Sequence, residues 1–430
     1  LGVLWMFPYT VGSNGGGLFL ITYILCVILI GIPTLIAELS IGRASQSGAI
    51  STFESLGPGN HFFMIAGYFS VIASFFIMAF YSVIAGWGMS YIVMCLNGFY
   101  KGKSAIEVAD AFRSLANSAV ISSVWHFIFT VLTMSIVYSG VRAGIEAWSK
   151  LMTRALFVIL VILVLYNTSL AGFSHALTFI FKSDAANFKL SSVLEALGLA
   201  FFTLSLGQGI MISYGSYLKK EDNIPQMACV IAFSVIIIAI LSALMVFPAV
   251  FTFGLKPNAG EGLVFETLPY LFSHLPGSLI LSTIFFILFV FTALTSSIAF
   301  VEVVASNCME RFNWGRKKAV SLTCLATFIL GLPCASARSG AIFFDWKDIY
   351  GANFLTTLSN LVSTWIIPIA GLLTAIFVGY IIDKTRGFEE FVQGSNSAWL
   401  WPIYRFFMRY VIPLFIILVI MQKSGIFSFK

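Results

Sequence analysis

Four hydroxyl side chains, Thr292, Thr295, Ser296 and Ser297, fall at i, i+3, i+4 and i+5 of one long apolar stretch. The first three therefore share a helix face. Oxygen ligands are what a hard cation such as Na⁺ requires. The same hydroxyls can instead bond carbonyls of their own helix or pack against a neighbour. A second cluster, Ala200-Phe201-Phe202-Thr203-Leu204-Ser205-Leu206-Gly207-Gln208-Gly209, lies inside another apolar segment. Two glycines flanking an amide weaken a helix by roughly 1 kcal/mol each relative to alanine. Backbone groups freed at membrane depth persist only where they line a cavity or are buried in protein. The segment reads as a membrane helix broken near mid-bilayer, offering both a positive and a negative dipole end to an ion or zwitterion. Thr203 and Ser205 add hydroxyls at the same depth.

Two acids within apolar sequence, Glu38 and Glu302, also need partners, because an unpaired carboxylate in a span costs several kcal/mol. Glu38 has two open readings: it accepts bonds from the freed amides of a broken helix, or it reaches the interface and pairs with Arg43. Tyr81 is a phenol amid apolar residues, ordinarily a core position with a satisfied hydroxyl. Enzyme signatures are missing. The four histidines (His61, His126, His175, His274) are dispersed, and there is no HExxH, GxSxG or P-loop lysine. Asn14-Gly15-Gly16-Gly17 reads as a tight, closely packed turn. The six cysteines lie in or beside apolar segments, which does not suggest a disulfide framework.

The elements that must position these groups follow from composition. Of 430 residues, 59% are hydrophobic and 10% charged, with a mean hydropathy of +0.97. This is an all-α, polytopic membrane protein. About eleven apolar segments are long enough to span, or half-span, a hydrocarbon core of roughly 30 Å. They cover approximately 1–10, 17–42, 63–97, 120–139, 151–171, 191–217, 225–253, 276–309, 319–333, 349–382 and 401–421, leaving no gap long enough for a second domain. With the first span running outward, 14 of the 24 Lys and Arg fall in inward loops, the Arg311–Lys318 cluster among them. The net charge of +6 is thus a positive-inside pattern and not a nucleic-acid surface. Because Leu1-Gly2-Val3 is already apolar and lacks an initiator methionine, the first span is expected to be incomplete.

Trp5-Met6-Phe7-Pro8-Tyr9, Asn14-Gly15-Gly16-Gly17, Gly31-Ile32-Pro33 with Glu38 and Gly42-Arg43, Phe202-Thr203-Leu204-Ser205-Leu206-Gly207, Ser213-Tyr214-Gly215-Ser216-Tyr217, Phe247-Pro248-Ala249-Val250-Phe251 and Leu294-Thr295-Ser296-Ser297-Ile298-Ala299 occur in this order. Together they resemble the bacterial, leucine-transporter-like branch of the neurotransmitter:sodium symporter family, across nearly the whole chain. The resemblance implies one membrane domain over 1–430 with five-plus-five inverted repeats at 1–171 and 191–382, broken helices 1 and 6, and an eleventh helix at 401–421. It implies Na⁺-coupled import of a small neutral L-amino acid through the bacterial plasma membrane, in contact with lipid. The substrate carboxylate is expected at the amides around Leu1 and Gly2 and at the Tyr81 hydroxyl. The amino group is expected at the carbonyls of Phe202 and Thr203 and near Ser205. Ile77, Tyr81, Phe202, Ser205, Gln208, Ser296 and Phe300 are expected to line the side-chain pocket. One sodium site matches Thr295, Ser296 and the Thr292 carbonyl, with its other carbonyls preceding Leu1.

Departures from the family pattern are specific. Val3 stands where a ligating asparagine is usual, Met6 where an outer-gate arginine is usual, and Ser234 where a seventh-span Asn or Asp is usual. Only Thr203 remains as a side-chain ligand for a second sodium, so one coupled ion is expected. Asp348 is the expected outer-gate acid, with Lys347 as its nearest cation, and Tyr217 and Glu310 belong to the inner gate. Gln208 occupies a position commonly apolar in relatives, which favours cargo with some polarity, tyrosine-like before leucine-like. The competing function is a non-transporting, receptor-like relative of the same fold.

Overall fold

The computed structural model describes residues 2–4, 6–57, 61–100, 102–182, 188–254 and 262–424. Among these, nine continuous helices are long and apolar enough to cross a membrane. They are Gly17–Ser45, His61–Leu96, Ala119–Tyr138, Gly144–Asn167, Ile224–Thr252, Ser278–Phe312, Arg316–Ala335, Phe354–Ile381 and Ala398–Lys423. Two further spans are assembled from pieces. The first is a turn at 2–4 followed by Met6–Ser13, and the sixth is Leu190–Thr203 and Ile210–Gly215. Numbered in chain order, these are spans 1 to 11.

Lipid tails are as apolar as leucine, so helices here associate through close approach at small residues. The third and eighth spans make the most extensive contact of any pair, and Gly88 of the third lies directly against the Phe289 ring of the eighth. The second and sixth spans are equally close. A Cβ added at Gly42 would stand 2.1 Å from the Ile212 carbonyl oxygen, and one at Gly215 would stand 2.5 Å from that of Leu39. Higher up, Gly31 leaves room for the Leu204 side chain at the end of the outer sixth-span helix.

Three π-helical turns have one cause. Val27–Gly31, Val362–Ile366 and Phe407–Val411 each lie just before a proline: Pro33, Pro368 and Pro413. Proline lacks an amide and its ring crowds the carbonyl four residues back, and a locally widened turn relieves both conflicts without breaking the span.

Gly42→Ala is expected to push the inner sixth span off the second and lower stability by about 1–3 kcal/mol. Thermal unfolding of purified protein in detergent reads this directly. Gly198→Ala, where an added Cβ meets nothing within 4 Å, should leave the transition unmoved or slightly higher. Equal behaviour of the two variants would contradict this reading of the packing.

Candidate functional site

The sixth-span helix stops at Thr203 and resumes at Ile210. Between them Ser205, Gly207 and Gly209 all have positive φ, at 56°, 70° and 74°, a conformation that favours glycine at the two flanking positions. Two backbone groups released by the break are taken by side chains of two other spans. Gly207 N–H donates to Glu38 Oε1 at 2.7 Å, and the Gln208 carbonyl accepts from the Ser74 hydroxyl at 2.6 Å. Glu38 is 1% exposed, and its Oε2 has no partner among the described residues. Arg43 does not pair with it: Arg43 donates to the side chain and carbonyl of Glu390 and to the Asp222 carbonyl. Of the two sequence readings of Glu38, the structure shows the first.

Outside the break, Tyr81 and Phe202 line a cavity of about 530 Å³ together with Gly2, Met6, Glu195 and Lys423. Gly2 lies so close to the Phe202 ring that a Cβ would come within 2.8 Å of it. Tyr81 meets Phe300 edge-on, with ring centroids 5.7 Å apart, and Ile77 is buried one helical turn along the third span. The Tyr81 hydroxyl is buried and interacts with the Ser296 side chain. Leu1 lies outside the described residues. Asp348 is exposed on the short helix Trp346–Tyr350 and is not among the residues lining this cavity. The acid that does line it, Glu195, is held by Asn14 Nδ2 at 2.9 Å, and Asn14 Oδ1 accepts from Ser192. The Asn14–Gly17 turn, with Gly15 and Gly16 at positive φ, thus also tethers the outer sixth span.

On the eighth span, Thr295 Oγ1 lies 2.9 Å and Ser296 Oγ 3.3 Å from the Thr292 carbonyl oxygen. Both hydroxyls donate to that carbonyl as they stand, and their lone pairs, with the carbonyl's, are oxygen donors of the kind a hard cation takes. The Thr292 hydroxyl bonds back to the Leu288 carbonyl and does not join them. Thr203 Oγ1 is engaged by the Tyr23 hydroxyl at 2.8 Å, a partner that sequence spacing did not reveal. Ser234 is exposed and bonds the Val230 carbonyl of its own helix. Gln208 is 1% exposed, with neither Nε2 nor Oε1 paired among the described residues.

Toward the inner end, the Tyr217 hydroxyl donates to Glu302 Oε1 at 2.6 Å, and Arg316 Nη2 donates to Glu302 Oε2 at 2.6 Å. Arg316 also donates to the Val137 carbonyl, so the sixth, eighth, ninth and fourth spans meet at one buried carboxylate. Glu310, expected with Tyr217 at the inner gate, accepts from the Gly48 amide at the head of helix Ala49–Leu56.

This architecture is matched elsewhere. The model of the sodium:neurotransmitter symporter family matches residues 1–101 and 99–428. The chain is 36% identical to the uncharacterized sodium-dependent transporter YhdH of Bacillus subtilis, over 100% of this chain and 94% of that protein. It is 27% identical to the sodium-dependent dopamine transporter of Caenorhabditis elegans, over 91% and 72%. Among solved structures, MhsT in complex with L-phenylalanine superposes with a TM-score of 0.90 at 34% identity, covering 98% of this chain and 95% of that one.

Removing the arginine from the inner cluster leaves a buried carboxylate with only a phenol. Arg316→Ala should therefore destabilise the protein by about 3–5 kcal/mol, with much of the loss restored in the double variant Arg316→Ala/Glu302→Gln. Thermal unfolding of the two variants is the check, and a single variant as stable as the parent would contradict the pairing.

Proposed function

The chain belongs to the sodium:neurotransmitter symporter family and is a multi-pass, sodium-coupled symporter of the plasma membrane; we propose that its cargo is a small neutral L-amino acid carried inward by alternating access. The observation that carries this reading is the break in the sixth span beside a cavity lined by Tyr81 and Phe202. A zwitterion needs donors at one end and carbonyls at the other, and a broken helix facing a phenol offers both. In this reading the carboxylate meets Gly2 and Tyr81. The ammonium meets the carbonyls of Phe202 and Thr203 near Ser205, and the side chain points among Ile77, Gln208, Ser296 and Phe300. The L-phenylalanine in MhsT supports cargo of this chemical class.

Na⁺ takes the Thr292 carbonyl with the Thr295 and Ser296 hydroxyls. One ion is coupled, because Val3 offers no oxygen, Thr203 is engaged by Tyr23, and Ser234 bonds its own helix. Sodium binding favours the outward-open form, and Phe202 and Tyr81 close over the cargo. Tyr217 and Glu310 belong to the inner closure, and Asp348 to the outer rim. The two repeats are taken as 1–171 and 191–382, with 401–421 outside them.

Uptake of radiolabelled amino acids into proteoliposomes, with and without an inward sodium gradient, tests the reading. Accumulation only with the gradient is expected, and gradient-independent uptake or none at all overturns it. Thr295→Ala and Ser296→Ala should each raise the sodium concentration for half-maximal uptake about tenfold, or about 1.4 kcal/mol. Sodium dependence in the parent should be non-cooperative. Unchanged sodium dependence in both variants would remove the ion from this position.

A further inference from the structure

We propose that the inner end of the protein holds an anionic phospholipid, its phosphate group at Lys384, Arg386 and Arg405. Two of these cations lie on the short helix Lys384–Val392 that follows the tenth span, and the third lies near the start of the eleventh. Together with Ile41, Ile382 and Trp401 they line a cleft where the inner ends of the second, tenth and eleventh spans meet.

Charge sets the class of ligand. Two acids also line the cleft, and each is already engaged. Asp383 accepts from the Thr385 and Arg386 amides at the head of the short helix, and Glu390 is bonded by Arg43. Glu389, the remaining acid of that helix, is not among the lining residues. The cations are not so engaged. Arg386 reaches only the Ala44 carbonyl, at 3.4 Å, and neither Lys384 nor Arg405 has a hydrogen bond or ion pair among the described residues. With Arg43 counted, four cations surround two acids, so the cleft is left with an excess of positive charge. Ser40 lines it as well, and its buried hydroxyl has no partner among the described residues. A basic pocket between the inner ends of membrane helices is suited to a phosphate headgroup.

Position sets the source of that phosphate. The eleventh span begins at Ala398, and Arg405 lies seven residues further on, about 10 Å along the helix. Trp399, which is 72% exposed, and Trp401 stand between them, and tryptophan at the end of a span marks the membrane interface. Past these, Ile403, Phe406 and Tyr410 are each more than half exposed on the same span, which gives acyl chains an apolar surface beside the cations. A free phosphate ion would use the cations alone. A phospholipid uses both.

Native mass spectrometry of the full chain, titrated with phosphatidylglycerol or with phosphatidylcholine of the same acyl chains, tests the proposal. Phosphatidylglycerol should bind about tenfold or more tightly than phosphatidylcholine, and Arg386→Gln/Arg405→Gln should remove most of that difference. Should the double variant fail to fold, Lys384→Gln serves, because Lys384 is exposed and unpaired among the described residues: phosphatidylglycerol binding should weaken about fivefold. Equal binding of the two lipids overturns the proposal, as does a preference that the substitutions leave unmoved. Displacement of phosphatidylglycerol by inorganic phosphate would show a site for soluble anions and overturns it too.

Discussion

A helix interrupted inside a membrane must find partners for backbone groups that no water reaches, and Glu38 supplies the one on which this architecture depends. Its bond to the Gly207 amide satisfies a donor released where the sixth span stops at Thr203 and restarts at Ile210. Ser74 does the same for the Gln208 carbonyl from the opposite side. The break is thus held from two neighbouring spans, with Gly207 and Gly209 in backbone conformations that other residues rarely adopt.

The same second span that carries Glu38 fixes the inner half of the sixth. Gly42 and Gly215 bring the two backbones together, and one residue further along Arg43 binds the link after the sixth span and the helix Lys384–Val392. Any movement of Ile210–Gly215 is therefore felt by the second span and by the connection to the eleventh. The inner face carries a second tie, where Tyr217 reaches the Glu302–Arg316 pair. Tyr217 follows directly on the inner sixth-span helix, so this tie joins that helix to the eighth and ninth spans.

The spans were legible in the sequence because the bilayer imposes a length and a composition. The apolar segments 225–253 and 276–309 became Ile224–Thr252 and Ser278–Phe312, and the segment 191–217 broke where the glycines flank Gln208. Thr295 and Ser296 were legible for a similar reason, since helical spacing alone puts their hydroxyls on one carbonyl. Pairings between distant spans were not. Nothing local says that Tyr217 meets Glu302 and not Glu310, that Tyr23 takes the Thr203 hydroxyl, or that Glu195 lines the outer cavity while Asp348 lies exposed on a separate short helix. Those depend on rotation and tilt of whole helices, which a one-dimensional pattern does not encode.

If the break is where cargo and ion act, its backbone must become more ordered when both are present. Hydrogen exchange measured by mass spectrometry on the full chain in lipid nanodiscs reads this at residues 204–209. The account predicts that sodium with a transported amino acid slows exchange in that segment and around Thr292–Ser296, more than either solute does alone. Exchange in both segments that is indifferent to the two solutes, while some other region responds, would place the binding site elsewhere.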